Sequence, residues 1–200
     1  LLEEILAGQT QEMQRFLLYT SVLDRFTAPL CDALLENVQH PSDTADDELF
    51  PPGSSVLQRS TSVLETLERE NLFLIALDDE RLWFRYHHLF ADLLRARLHQ
   101  MTPELVPVLH VRASKWLEQK GFVPEAIQHL FAAHEIERAA DLIEPYGSSN
   151  STESDPLVLR MAESLPREML IARPKLGLYQ AWLLICQGNI EKAIPLMNEL

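Results

Sequence analysis

The 200-residue sequence predicts a mainly α-helical fold that contains one β-hairpin. Three observations carry that prediction. Apolar residues recur at helical spacing through most of the chain. Between Asn71 and Leu98 the pattern changes: an apolar run, Leu72 to Leu77, and an alternating run, Leu82 to Tyr86, flank the charged turn Asp78-Asp79-Glu80. The hydrophobic share of 46% is ample for a real core.

Taken in order, the first helix follows Thr10 as its N-cap, with Met13, Phe16, Leu17 and Val22 as the inward stripe. Thr27 caps a second helix, Ala28 to Glu36, with Pro29 in its first turn and Leu30, Cys31, Leu34 and Leu35 facing inward. Asn37 to Ser55 is rich in Pro, Ser, Asp and Gly and reads as a long exposed loop that Leu49 and Phe50 pin to the surface. Ser54 or Ser55 caps a third helix, Val56 to Glu70, whose apolar positions Val56, Val63, Leu64 and Leu67 are sparser. The hairpin follows as the one sheet element expected in the chain. His87 and His88 then open a helix with Leu89, Phe90, Leu93, Leu94, Ala96 and Leu98 as its apolar positions. Helices followed by a β-wing that leads into a further helix define a winged helix, expected over residues 1–99.

From Thr102 the chain turns repetitive. Thr102 caps the next helix, with Pro103 in its first position and Leu105, Leu109, Ala113, Trp116 and Leu117 on one face. The frame Ser114, Leu117, Gly121, Val123, Ala126, Leu130, Ala133 recurs as Ala181, Leu184, Gly188, Ile190, Ala193, Met197, Leu200. The offset is about twice the roughly 34-residue tetratricopeptide period. Small residues let paired helices approach, and Gly121 and Gly188 end the first helix of each pair. Two helices that fit the frame poorly, Ile136 to Pro145 and Pro156 to Leu165, lie between, separated by the Ser-rich loop Tyr146 to Ser154. Pro195 is a defect expected to kink its helix. Residues 100–200 are therefore expected to open a longer tetratricopeptide-like array. Because the sequence starts at Leu1 and stops at Leu200 inside a helical pattern, it is expected to be a piece of a longer protein.

The formal net charge of −13 argues against a nucleic-acid surface, which needs clustered Lys and Arg. In a winged helix the helix before the wing usually enters the major groove. Here Arg59 and Arg69 stand against Glu65, Glu68 and Glu70, so phosphates would be repelled and direct DNA binding is not expected. Two cysteines, Cys31 and Cys186, sit in apolar helical patterns and read as reduced core thiols. No apolar run reaches the roughly 18 residues of a membrane span, and the sequence shows no signal-peptide pattern. The expectation is a soluble cytoplasmic chain.

Little in the sequence suggests catalysis. The six glycines are scattered, so no phosphate loop is formed, and no serine lies in a nucleophile elbow. His87, His88, His99 and His110 match no common metal-ligand spacing, so no metal is expected. The pairs Glu65/Glu68 and Asp78/Asp79 read as solvated charge. His87 is the candidate that stands out. It lies where a strand ends and a helix begins, where free N–H groups make a ready anion site and an imidazole can donate to a phosphate oxygen. The competing reading makes it a helix cap or a satisfied core histidine. A helical step would point His88 about 100° away, so only one of the two is expected to face a site.

The run LDDERLWFRYHHLFADLLRARL resembles the signature of MalT-like, large LuxR-type transcriptional regulators, which are signal-transduction ATPases of the STAND class. The resemblance extends through RFLLYTSVLDRFTAPLCDALL upstream and LHVRASKWLEQKGFVPEAIQHLFAAHEIERAADLIE downstream. It implies a parent protein with a nucleotide-binding domain, a winged helix, a tetratricopeptide-like array that senses an inducer, and a C-terminal helix-turn-helix that binds DNA. Tyr86-His87-His88-Leu89 aligns with the M-H-D-L motif of related STAND proteins, which implies that His87 meets the β-phosphate of ADP. His88 departs from the aspartate of that motif. The implied cofactor is ATP or ADP in the parent and none for this fragment alone, which is expected not to be an enzyme. The implied partners are the nucleotide-binding domain of the same chain, a small-molecule or protein inducer at the array, and DNA only through the absent domain. Self-association on activation is also implied, and no membrane partner is. An alternative function is a non-catalytic scaffold whose array binds a peptide or protein.

Overall fold

The computed structural model describes residues 8–36, 56–70, 73–149 and 156–200, with side chains omitted at 56–59, 146–149 and 156–159. The predicted loop over Asn37 to Ser55, its Ser54 or Ser55 cap, Asn71 and Leu72 lie outside the described residues, as does the Ser-rich loop from Asn150 to Ser154. The chain divides into two compact units, Leu1–Ala113 and Ser114–Leu200. The first is a winged helix and the second a helical array.

In the first unit, helix α1 spans Gln11–Thr20, α2 Ala28–Leu35 and α3 Val56–Arg69; strands β1 (Leu74–Ala76) and β2 (Phe84–Tyr86) form the wing, and α4 (His88–Met101) follows. Thr10 accepts the Met13 N–H at 3.2 Å and Thr27 accepts that of Leu30 at 3.4 Å, so both expected caps form. Helix α1 packs on α2 and α4, and α2 on α3. Phe16, Leu17, Leu30, Cys31, Leu34, Leu64, Leu67, Leu94 and Leu98 are buried together with Val22, which lies just past the end of α1.

Several expectations need correction. The strands are shorter than predicted, paired antiparallel with Ile75 opposite Arg85. The turn is correspondingly longer. Asp78 accepts the N–H groups of Leu82 (2.8 Å) and Trp83 (3.1 Å), and Arg81 takes the left-handed conformation at φ 54°. The hairpin is not the only extended pairing: Phe26 exchanges both backbone hydrogen bonds with Phe84, each at 2.8 Å. Sequence periodicity cannot detect a single-residue bridge. On α4, Phe90, Ala91, Leu94 and Leu98 are buried, whereas Leu89, Leu93 and Ala96, apolar positions of the same predicted helix, are exposed. That helix carries two apolar stripes, and only one packs within the unit.

Helix α5 (Leu105–Gln119) begins two residues after Pro103; Thr102 instead closes α4, its N–H bonded to the Leu98 carbonyl. The division between the units falls within α5. The second unit continues with α6 (Val123–Ala132), α7 (Ile136–Ser149), α8 (Pro156–Glu163), α9 (Arg167–Ala172), α10 (Pro174–Cys186) and α11 (Ile190–Glu199). Helix α7 runs through Pro145 to Ser149, four residues into the stretch expected as loop, and α9 was not anticipated. Helix α11 also continues through Pro195, which is exposed, so the carbonyl it leaves unbonded faces water. Cys186 is exposed at the end of α10 and is not a core thiol, while Cys31 is buried and its thiol is held well above the usual range, chiefly by burial.

The unit's core gathers Ile127, Leu130, Ile143, Leu165, Leu170, Leu176 and Leu196. The turns after Gly121 and Gly188 are alike. The residue after each glycine donates to the carbonyl five residues back, Phe122 to Leu117 at 2.9 Å and Asn189 to Leu184 at 2.8 Å, with φ of 83° and 79° at the glycines. No described helix is long and apolar enough to cross a membrane.

Candidate functional site at the exit of the wing

The wing holds His87 from both sides. Its N–H donates to the Phe73 carbonyl across the hairpin at 2.7 Å, and its own carbonyl accepts from Phe90 and Ala91, each at 2.9 Å. One bond ends the sheet and the other two begin α4, so the backbone at this junction has little freedom. The residue before it, Tyr86, is buried with its ring 4.8 Å from Phe26 and 5.8 Å from Phe90. Alternation along β2 therefore puts Arg85 and His87 on the face opposite Phe84 and Tyr86.

His87 is the N-cap residue of α4, yet its side chain makes no capping hydrogen bond, and the first turn holds no acidic residue. His87 is half-buried and His88 exposed. Their rings lie 4.4 Å apart at 31°. The 100° step between successive helical residues does not separate them, because His87 itself is extended, at φ −57° and ψ 133°. A helix N-terminus carries partial positive charge and unsatisfied donors. Two adjacent imidazoles lie there, and Arg85 precedes them on the same face of the strand. A helix N-terminus beside two imidazoles can take an anion such as a phosphate.

The other predicted candidates stay apart from it. His99 lies 2.9 Å from the Arg95 carbonyl, one turn back on α4. The imidazole of His110 is pushed down to about 4, first by burial and then by Arg95 and His99. Among the described residues no three His, Cys, Asp or Glu side chains converge as a metal site. Sequence reasoning overlooked Arg85; strand alternation was the signal that could have paired it with His87.

Among the described residues, three helices with a β-wing and a helix leading from the wing's end form a winged-helix module, here followed in sequence by a helical array. The chain belongs to the family described as the MalT winged helix domain, whose model matches residues 2–106. It is 36% identical over 137 residues to the HTH-type transcriptional regulator MalT of Cronobacter sakazakii, covering 67% of this chain and 15% of that protein. It is 32% identical over 182 residues to the serine/threonine-protein kinase PknK of Mycobacterium tuberculosis, covering 90% of this chain and 14% of that protein. A PknK from Mycobacterium bovis matches to the same extent. The chain thus spans only about one seventh of the length of these relatives.

Proposed function

We propose that this chain is the regulatory relay of an ATP-dependent, LuxR-type transcriptional activator. The single observation that carries the reading is the position of His87: a backbone clamped between Phe73 and α4, with an imidazole that makes no capping bond at the N-terminus of that helix. In the parent protein His87 donates to a phosphate of ADP held on the nucleotide-binding domain. That contact keeps the resting state closed. An inducer at the tetratricopeptide-like array favours the open state, in which ADP exchanges for ATP, the protein self-associates, and a C-terminal helix-turn-helix engages DNA. Each ligand acts by preferring one of two states, as linkage requires. The parent hydrolyses ATP slowly in the cytoplasm; the fragment itself carries no phosphate loop.

One relative is named a transcriptional regulator and another a protein kinase. A module shared between two such outputs suits a relay better than a DNA-binding element, and its acidic charge agrees. The test is His87→Ala in the full-length protein. Bound ADP after gel filtration should fall and inducer-free transcription should rise. Unchanged values for both sink the sensor role.

A second reading, a non-catalytic scaffold that binds a peptide or protein, is favoured by the exposed apolar residues Leu178, Trp182, Ile190, Ile194 and Met197 on α10 and α11. Pulldown with the fragment against protein and small-molecule pools separates the two.

A further inference from the structure

The second unit contains an open groove of about 700 Å³ between the end of α8, α9, α10 and α11. We infer that it is a binding site for a small neutral molecule that carries an amide or hydroxyl group on an apolar body.

The observation behind this is Gln180. It lines the groove from α10, is only 6% exposed, and its side-chain oxygen has no hydrogen-bond partner. Leaving a buried amide oxygen unsatisfied costs about 1–3 kcal/mol. The helix around it is apolar, with Leu176 and Leu183 buried and Leu184 half-buried. A leucine at position 180 would remove the cost and suit that packing. A buried polar group that the fold itself leaves unpaired points to a partner outside it.

The rest of the lining defines what that partner is. Leu165, Leu170, Leu184 and Leu196 supply an apolar wall. Two of the four charged lining residues are engaged already. Arg167 makes a bidentate pair with Glu199 at 2.8 and 2.7 Å, and Glu163 accepts from Gln187 at 2.6 Å. Glu191 and Lys192 add one charge of each sign. An ionic ligand seated at the depth of Gln180 would lie against leucines, with counter-charge only at the exposed rim, which is costly. A neutral ligand meets the wall and, once the closed-off Gln180 side chain turns toward the groove, its amide. Rotation about the terminal torsion of Gln180 exchanges its oxygen and nitrogen, so an amide or hydroxyl can be matched as donor or acceptor. The volume falls in the ordinary range of small-molecule sites.

The site deepens the relay reading and rests on it only for what binding would signal. Its test needs no nucleotide, so a failed site and a failed relay give separate results. The ¹⁵N-labelled 200-residue chain is titrated with three isosteres: benzamide, benzoate and benzamidine. Benzamide should shift the amides of residues 163–196 saturably, with the two charged analogues at least about tenfold weaker. Gln180→Leu should weaken benzamide by about tenfold or more while melting at or above the temperature of the unaltered chain. Gln180→Met is the backup should the leucine variant misfold. The inference is overturned by any of three results: no saturable shift by about 10 mM benzamide, equal affinity for the charged analogues, or unchanged benzamide binding by the variant. A lower melting temperature for both variants would make Gln180 structural and overturn it equally.

Discussion

The phenol oxygen of Tyr86 lies 2.8 Å from the hydroxyl of Thr20, joining the inner strand of the wing to the end of α1. Thr20 in turn donates to the Phe16 carbonyl at 2.6 Å, so Tyr86 is the donor of the pair. Burial holds the phenol well above its ordinary range, so it stays protonated. The two ends of this bond should respond differently to substitution. Tyr86→Phe removes a donor and leaves Thr20 with its own acceptor, at a cost of about 1 kcal/mol. Thr20→Val strands the buried O–H and should cost more, about 2–3 kcal/mol. Urea denaturation of both variants checks the order; equal losses would contradict it.

His134 occupies, at the end of α6, the turn position that glycine holds at 121 and 188. Its φ is 60°, and Glu135 donates to Leu130 at 2.9 Å as Phe122 does to Leu117. Only glycine takes this conformation without cost. His134→Gly should stabilise the chain by about 1 kcal/mol and Gly121→Ala should destabilise it by a similar amount. A Cβ at Gly121 meets nothing within 4 Å, so the effect there is conformational and not steric. Thermal melts with shifts of opposite sign are the expected result.

Gly177 is constrained by space. A Cβ there would stand 2.7 Å from the Leu170 carbonyl oxygen, and would also meet the side chain of Leu200. The carbonyl belongs to the backbone of α9 and cannot rotate aside. Gly177→Ala should therefore destabilise by about 1–2 kcal/mol, although alanine gains about 1 kcal/mol in helix propensity. A melting temperature at or above that of the unaltered chain would show that α9 can shift.

His110 introduces a pH dependence. Its folded value of about 4 lies below the ordinary histidine value. Between the two, the unfolded chain binds a proton that the folded chain refuses, so stability falls as pH drops through that window. Above about pH 6.5 the contribution is fully present, and below about 4 it has been lost. Allowing for its partial contact with solvent, the loss should be on the order of 2 kcal/mol. Arg95, His99 and Asp24 face the group; the first two lower its value and the last opposes them. Urea midpoints at pH 7 and pH 5 should converge in His110→Gln; a slope equal to that of the unaltered chain would assign the effect elsewhere.

The sequence by itself determined the mainly helical class, the wing, the caps at Thr10 and Thr27, the glycine turns and the His87 junction. Each is a local effect: a periodicity, a hydrogen bond within four residues, or a conformation that only glycine adopts freely. Residues that depend on distant partners were not legible in it. The Phe26–Phe84 bridge, the Tyr86–Thr20 bond and the unpartnered oxygen of Gln180 each depend on how elements far apart in sequence pack. The same holds for Leu89 and Leu93, which have the apolar spacing of a core yet lie exposed, because only one stripe of α4 meets α1. Hydrophobic pattern specifies that a face is apolar; tertiary packing decides which apolar face is covered.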